Sequence, residues 1–362
     1  MSLDVPFPAD YGGAIDILFR IQALHKLGFE ITLHCFEYGR DWAQKALEAY
    51  TKELHYYPRK KPLTDWLSGT PFIVKTRSDN RLLENLLKDD SPILFEGLHT
   101  TFFLADERLK DRIKIVRAHN VEHEYYAELA KHASGTKRLF FASEARKLEK
   151  YEPVLKHASH ILAIQQNDLE HFKTLNDSVH LLPACTPLSE AVYLDTDPYC
   201  LFQGNLSVPE NENAANWILD ALSDSKVNLR IAGKDPSEKL KARCRETSVK
   251  LIANPDEEAM QSLIQKARVH ALYTDQPTGL KLKLLNALNT SGHVVANAKM
   301  VAGTVLDELC EIEDRSQKFK QIIERLMDSP LSEEAFSQRQ NFLSEHFDSL
   351  KNCQLIVDLI NG

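Results

Sequence analysis

Short apolar runs and amphipathic stretches alternate along almost the whole chain. "EITLHCF" (from Glu30), "PILFEG" (from Pro92), "IKIVRAH" (from Ile113), "HILAIQ" (from His160) and "SVHLLPA" (from Ser178) read as strands. Helical spacing of apolar positions fills residues 14–27, 125–131 and 136–156 between them. Continuous Val/Ile/Leu runs separated by helices are the pattern of parallel strands buried on both faces. After "TPLSEAVYLDTDPYC" the alternation restarts with "CLFQG" (Cys200), "NLRIAG" (Asn228), "VKLIA" (Val249), "VHALYT" (Val269) and "HVVAN" (His293). From Leu331 onward only helical patterns remain. The chain therefore reads as α/β, with two doubly wound domains and a boundary near residues 186–198.

Ligands of such sheets bind beyond the carboxyl ends of the strands, so two facing domains would place the site in the cleft between them. One element is out of place. A doubly wound domain opens on a buried strand ahead of its first Gly-rich loop, yet only "MSLDV" precedes "PFPADYGG". This predicts either a very short opening strand or a truncated one, leaving a gap in the first sheet.

The length of 362 residues suits two cores better than one. An apolar content of 43% with 27% charged residues is that of a soluble globular protein. The net charge of −8 argues against a general nucleic-acid or membrane binder, since phosphate-rich partners select basic surfaces. The basic run "YYPRKKP" (Tyr56 to Pro62) reads as a solvated loop, with an acceptor-binding or membrane-facing edge as the alternative. Six cysteines, at 35, 185, 200, 244, 310 and 353, form no CxxC and no cluster with histidine. That opposes a zinc site or a disulfide framework and fits a reducing, cytoplasmic setting. No apolar run of ~20 residues offers a membrane span, and no basic-then-apolar leader opens the chain. Membrane association is expected to be peripheral at most.

Three stretches carry candidate chemistry. Gly12-Gly13 in "PFPADYGGAIDILF" precede a helix without a polar cap, where unpaired N–H groups suit a phosphate and a bare backbone allows close approach. A plain tight loop explains the same residues. "AHNVEHEYY" sets His119, Asn120 and Glu122 where a strand's carboxyl end meets a helix. Histidine exchanges protons near neutral pH, while Asn120 would serve equally as a helix cap and His119 as a packing residue. In "TDQPTGLKLKLLNAL", Gly279 would open a helix whose first turn holds Lys281 and Lys283, with Leu280, Leu284, Leu285 and Leu288 facing inward. Lysines there oppose the helix dipole unless an anion binds; otherwise they are solvated residues on an amphipathic helix. Gly233 in "NLRIAGKDP" ends a strand and reads alone as a βα turn.

Taken in order, these stretches resemble the retaining glycosyltransferases of family 4, with the GT-B fold. "PFPADYGGAIDILFRIQALHKLGFEITLHCF" is similar to the family's opening Gly-Gly loop, first helix and next strand. "RAHNVEHEYY" resembles its HNxE segment, and "EARKLEKYEPVLKHASHILAIQQNDLEHF" its "YE…aD…SexD" passage, with Gln165-Gln166 in place of the serine-bearing pair. "LFQGNLSVPENENAANWIL" resembles the start of the C-terminal domain. "TGLKLKLLNALNTSGHVVAN" is similar to the donor-binding G-x-K-x-K-x-L-E-A stretch.

The resemblance implies two Rossmann-like domains, at 1–190 and 198–335, facing a cleft, with C-terminal helices (336–362) crossing back to the N-terminal domain. It implies transfer of a sugar from a UDP- or GDP-sugar to a glycan, lipid-linked or other acceptor hydroxyl, with retention and no metal or other cofactor. Surface polysaccharide or glycolipid synthesis would be the setting, with no nucleic-acid partner. His119 would be catalytic, beside the reacting sugar. Gly12, Gly13, Gly233, Thr278, Gly279, Lys283 and Asn286 would bind the donor, and Asn120 and Glu122 would lie on the acceptor side. Thr278 and Asn286 stand where members often carry two glutamates, and Asn205 and Glu210-Asn211 where a basic pair is common. A binding protein of the same fold without turnover is the alternative from another class. A nicotinamide enzyme lacks its glycine fingerprint here.

Overall fold

A computed structural model describes residues 1–9, 11–37, 44–60, 68–186, 191–247, 249–275 and 282–362. The chain divides into two compact units, Met1–Pro187 with Phe347–Gly362, and Leu188–His346.

The first unit contains β1 (Thr32–Glu37), β2 (Glu53–Pro58), β3 (Ile93–Glu96), β4 (Lys114–Ala118), β5 (His160–Ala163) and β6 (Val179–Leu181). All its pairings are parallel, in two pieces, β1-β2 and β3-β4-β5-β6. Burial explains the apolar runs: β4 is buried at every position, as a central strand covered on both faces must be. One face packs Phe95, Val116 and Ile161 with Leu82, Leu148 and Phe172; the other packs Ile115 and Leu162 with Ala23, Cys353 and Ile356. The helix Gly12–Lys26 begins after Tyr11, which is extended and gives no side-chain cap.

Strand β2 was not legible from pattern, because "ELHYYP" has no apolar run. Its Tyr57 is 2% exposed and binds His34 Nδ1 (2.8 Å) and Asn85 Nδ2 (2.7 Å) through its hydroxyl. The expected solvated loop from Tyr56 therefore begins as buried strand; Lys61 and Pro62 lie outside the described residues.

The tail also departs from expectation. The helix Glu333–Phe347 stays with the second unit, where Arg339 is buried and donates to the carbonyls of Gly292 (3.0 Å) and Thr290, and Gln340 to that of Leu288 (3.2 Å). Only the helix Ser349–Asn361 packs in the first unit, through Cys353 and Ile356.

The second unit holds β7 (Asp197–Asn205), β8 (Leu229–Lys234), β9 (Lys250–Ala253), β10 (Ala267–Leu272), β11 (His293–Ala296) and β12 (Glu311–Ile312). They form one parallel sheet in the order β12-β11-β10-β7-β8-β9. The chain winds outward from β7 to β9, then returns to β10 on the other side and winds outward again. Strand order thus reverses between β7 and β10, the point where doubly wound sheets open a crevice for ligands.

Candidate functional site

In the second unit the reversal point gathers side chains from three segments. β7 ends at Asn205, and the helix Pro209–Ala221 follows with Glu210 and Asn211 in its first turn. Thr274 lies just beyond β10, and Lys283 in the helix Leu282–Leu288. The Lys283 ammonium donates to Asn211 Oδ1 (2.6 Å), Asn211 Nδ2 donates to the Asn205 carbonyl (2.9 Å), and Thr274 Oγ1 donates to Glu210. Lys283 also stands over the Phe202 ring, 5.7 Å from its centre. Burial pulls its pKa down, and Glu210 partly opposes this. Among the described residues Lys283 makes no salt bridge, so its charge rests on a neutral amide and a ring face. A partly desolvated cation in this state gains strongly from an anion.

Leu284, Leu285 and Leu288 are buried as the pattern predicts, and Asn286 is exposed one turn beyond Lys283. Thr278, Gly279, Leu280 and Lys281 lie outside the described residues. Gly233 pairs with Gly204 in the β7–β8 register, and a Cβ there would run into the Gly204 carbonyl. Its lack of a side chain is accounted for by strand packing.

In the first unit His119 follows β4, and its Nε2 lies 3.0 Å from Glu96 Oε2 at the end of β3. Glu96 is held in turn by Arg20 (Nη2–Oε2 2.7 Å), and Arg20 also reaches Asp16 (Nη1–Oδ2 3.0 Å), one turn earlier on the helix Gly12–Lys26. Arg117 contacts Asp16 (Nε–Oδ2 3.2 Å) and the Leu182 carbonyl, and the Cys185 amide donates to Asp16 Oδ1 (2.8 Å). Burial pushes both carboxyls up, but Arg117 and Arg20 outweigh it at Asp16, and Arg20 with His119 outweighs it at Glu96, so both sit below their usual range. Gly97 has φ +70°, and a Cβ there would lie 2.9 Å from His99 Nδ1 and 3.6 Å from His119 Cδ2. Glycine at this turn lets the His99 imidazole close in.

Asn120 is half-buried and Glu122 is buried. Glu122 is 2% exposed, and its Oε1 is 3.7 Å from His99 Nδ1, too long for a hydrogen bond. Burial pushes its carboxyl up to about 8, helped by Glu152 and Asp168 and opposed by Asn120 and Arg77. Burial, with Arg77 and His119, holds the His99 imidazole well below its ordinary pKa. At neutral pH this is a pair of largely uncharged groups. Gly12 and Gly13 form the first turn of their helix, and a Cβ on Gly13 would meet the Tyr11 ring at 3.0 Å.

Among the described residues two triplets bring possible metal-ligand atoms within 4.8 Å of one another, Asp16–Glu96–His119 and His123–Glu152–His171. Hydrogen bonds and ion pairs account for both. The first is bound up with Arg20 and Arg117; in the second, His171 Nε2 (2.8 Å) and His123 Nδ1 (3.3 Å) converge on Glu152 Oε2.

Sequence reading named His119 but missed Asp16, Arg20, Glu96, Gly97 and Arg117. The signal for the first two was present: an Asp and an Arg one turn apart on the apolar face of "AIDILFRIQAL".

This topology and near whole-chain likeness to solved glycosyltransferases define the GT-B fold. HepE of Anabaena, solved with UDP-glucose, matches with a TM-score of 0.65 at 14% identity, over 97% of this chain and 96% of that one. TarM of S. aureus matches with a TM-score of 0.58 at 14% identity, over 80% of this chain; the match spans 58% of TarM. In sequence, the chain is 27% identical to the "Uncharacterized 44.6 kDa protein in cps region" of Klebsiella pneumoniae, over 97% of this chain and 96% of that protein. No protein-family model matches. Among the described residues no helix is long and apolar enough to cross a membrane.

Proposed function

We propose that this protein is a glycosyltransferase that moves a sugar from a nucleotide-sugar, of the UDP or GDP type, to an acceptor hydroxyl with retention, in surface polysaccharide or glycolipid assembly. The observation that carries the proposal is Lys283. Its ammonium is partly desolvated at the strand-order reversal of the second unit and makes no salt bridge among the described residues, Glu210 acting on it only from a distance. A nucleoside diphosphate supplies the missing anion, and the resemblance gives the same lysine that role. Asn286, one turn on, would hydrogen-bond the ribose as a neutral group, and Thr278 and Gly279 would complete the donor side. The relative from a cps region and the UDP-glucose complex of HepE support the setting and the donor class.

In the first unit His119 is the proposed catalytic residue. With Nε2–H donated to Glu96, Nδ1 of His119 would be the acceptor for a sugar hydroxyl. Asp16, Arg20 and Arg117 fix Glu96 and act as positioning residues. Asn120 and Glu122 would lie on the acceptor side, while Gly12 and Gly13 would approach the donor diphosphate. The proposal needs no metal for leaving-group stabilisation, which falls to Lys283.

A panel of nucleotide-sugars tests this by thermal stabilisation and by release of nucleoside diphosphate. A ligand present at 100 times its Kd stabilises by ~2.7 kcal/mol. One donor class should shift the melting temperature and also turn over. The neutral Asn205, Asn211 and Asn286 favour a second reading, a nucleotide-binding protein without turnover; stabilisation without diphosphate release would select it.

A further inference from the structure

Among the described residues of the first unit four arginines are buried, Arg20, Arg77, Arg112 and Arg117. Three meet a carboxylate: Arg20 and Arg117 reach Asp16, and Arg112 reaches Asp89 (Nη2–Oδ1 3.1 Å). Arg77, at 3% exposure, makes no such pair among the described residues. Its Nε donates to the Leu3 carbonyl (2.8 Å) and its Nη1 to the Ile73 carbonyl (2.6 Å), and both of these partners are neutral.

A second cation stands beside it. Arg59, half-buried just beyond β2 in the basic run from Tyr56, donates from Nε to Thr76 Oγ1 (3.0 Å), one residue before Arg77. Burial and Arg59 pull the Arg77 pKa down to about 9, and Asp4 only partly opposes them. A buried guanidinium is costly unless an anion meets it, and its planar fork matches a carboxylate or a phosphate.

The pair adjoins the proposed acceptor side. Leu3, whose carbonyl holds Arg77, also lies against Gly97: a Cβ on that glycine would stand 3.5 Å from Leu3 Cδ2 and 3.6 Å from His119 Cδ2. His99, close to the same glycine, feels the charges of Arg77, His119 and Arg59 together. Three buried atoms of this neighbourhood make no hydrogen bond: His99 Nδ1, Asn120 Oδ1 and Glu122 Oε1. Buried polar atoms are nearly always paired, and Asn120 Oδ1 can only accept, which suits a ligand that brings hydroxyls.

We propose that Arg77, with Arg59, receives an oxyanion carried by the acceptor, the carboxylate or phosphate of an acidic sugar, and so holds that sugar at His119. The inference rests on the glycosyltransferase reading, which puts the acceptor on the first unit. A neutral sugar would leave Arg77 desolvated without an anion, so charge would select the acceptor.

The test titrates glucuronate, glucose 1-phosphate and glucose into the full chain by ligand-observed NMR. Lys283→Ala serves as the parent, so that phosphate held in the second unit does not contribute. An acidic sugar should bind at least about tenfold more tightly than glucose, and the tighter of the two identifies the oxyanion. Arg77→Gln and Arg59→Gln should each remove most of that preference and leave glucose unchanged. Arg77→Gln also gives up two bonds to backbone carbonyls; should it fail to fold, Arg59→Gln decides. Equal affinity for all three sugars, or a preference that survives in either folded variant, overturns the proposal. Nucleoside diphosphate binding and release by the wild type are read separately. Their absence with the preference intact would overturn the transferase reading alone, and the reverse would overturn only the acidic acceptor.

Discussion

Replacing Glu96 with Gln examines whether the first unit's buried charges act as one assembly. Glu96 accepts two bonds from Arg20 (3.1 and 2.7 Å) and one from His119 (3.0 Å), at 4% exposure. Asp16 and Glu96 balance Arg20 and Arg117, all four buried. Glu96→Gln leaves one positive charge uncompensated and points an amide where two donors converge. Breaking a buried pair in this way costs about 3–5 kcal/mol. For a unit of roughly 200 residues this lowers the melting temperature by about 6–20 °C. His119→Ala removes only one charge-assisted bond near the surface, worth about 1.5–3 kcal/mol. Urea unfolding followed by circular dichroism on both variants should rank Glu96→Gln clearly below His119→Ala. If Glu96→Gln lost under 1 kcal/mol, or the order were reversed, the network would not hold the site as described.

Further outcomes follow from the same geometry. His119→Ala should lower kcat far more than it weakens nucleoside diphosphate binding; single-turnover and binding measurements separate the two, and equal losses would remove His119 from the sugar. The Glu122 carboxyl, raised to about 8, binds more protons folded than unfolded between its usual value and that pH. Stability should therefore be greatest below about 4.5 as far as this group is concerned, and should fall as pH rises to about 8; a stability–pH profile of Glu122→Gln should lack that slope. Gly233→Ala drives a methyl into the Gly204 carbonyl and should destabilise the second unit by about 1–3 kcal/mol or more, read by urea unfolding.

The strands most visible in the sequence are those buried over successive positions, such as "HILA" and "HVVA", because two covered faces demand apolar neighbours in succession. β2 escaped because it has one buried position, Tyr57, whose hydroxyl is satisfied by His34 and Asn85, within an otherwise polar string. The tail misled for a related reason. Both terminal helices show apolar faces, but Arg339, which sends the helix Glu333–Phe347 to the second unit, makes its bonds to backbone carbonyls. Side-chain pattern carries no record of such partners. At the candidate sites, His119 and Lys283 stood out as charged or titratable groups beside turns. Glu96 and Arg117 did not, since one closes β3 and the other sits inside β4, and each acquires meaning only from Arg20 and Asp16 across the layer.

The central claim is that Lys283 grips the phosphates of a nucleotide-sugar, and calorimetric titration of wild type and Lys283→Ala tests it most directly. Each protein is titrated with a nucleoside diphosphate and with the corresponding nucleoside, the base being that of the donor class that stabilises wild type. Loss of a charge-assisted bond worth about 1.5–3 kcal/mol should weaken the diphosphate by roughly 10- to 150-fold while leaving the nucleoside nearly unchanged. Equal weakening of both ligands, or no change in either, would contradict the account and reduce Lys283 to a lysine resting against Asn211.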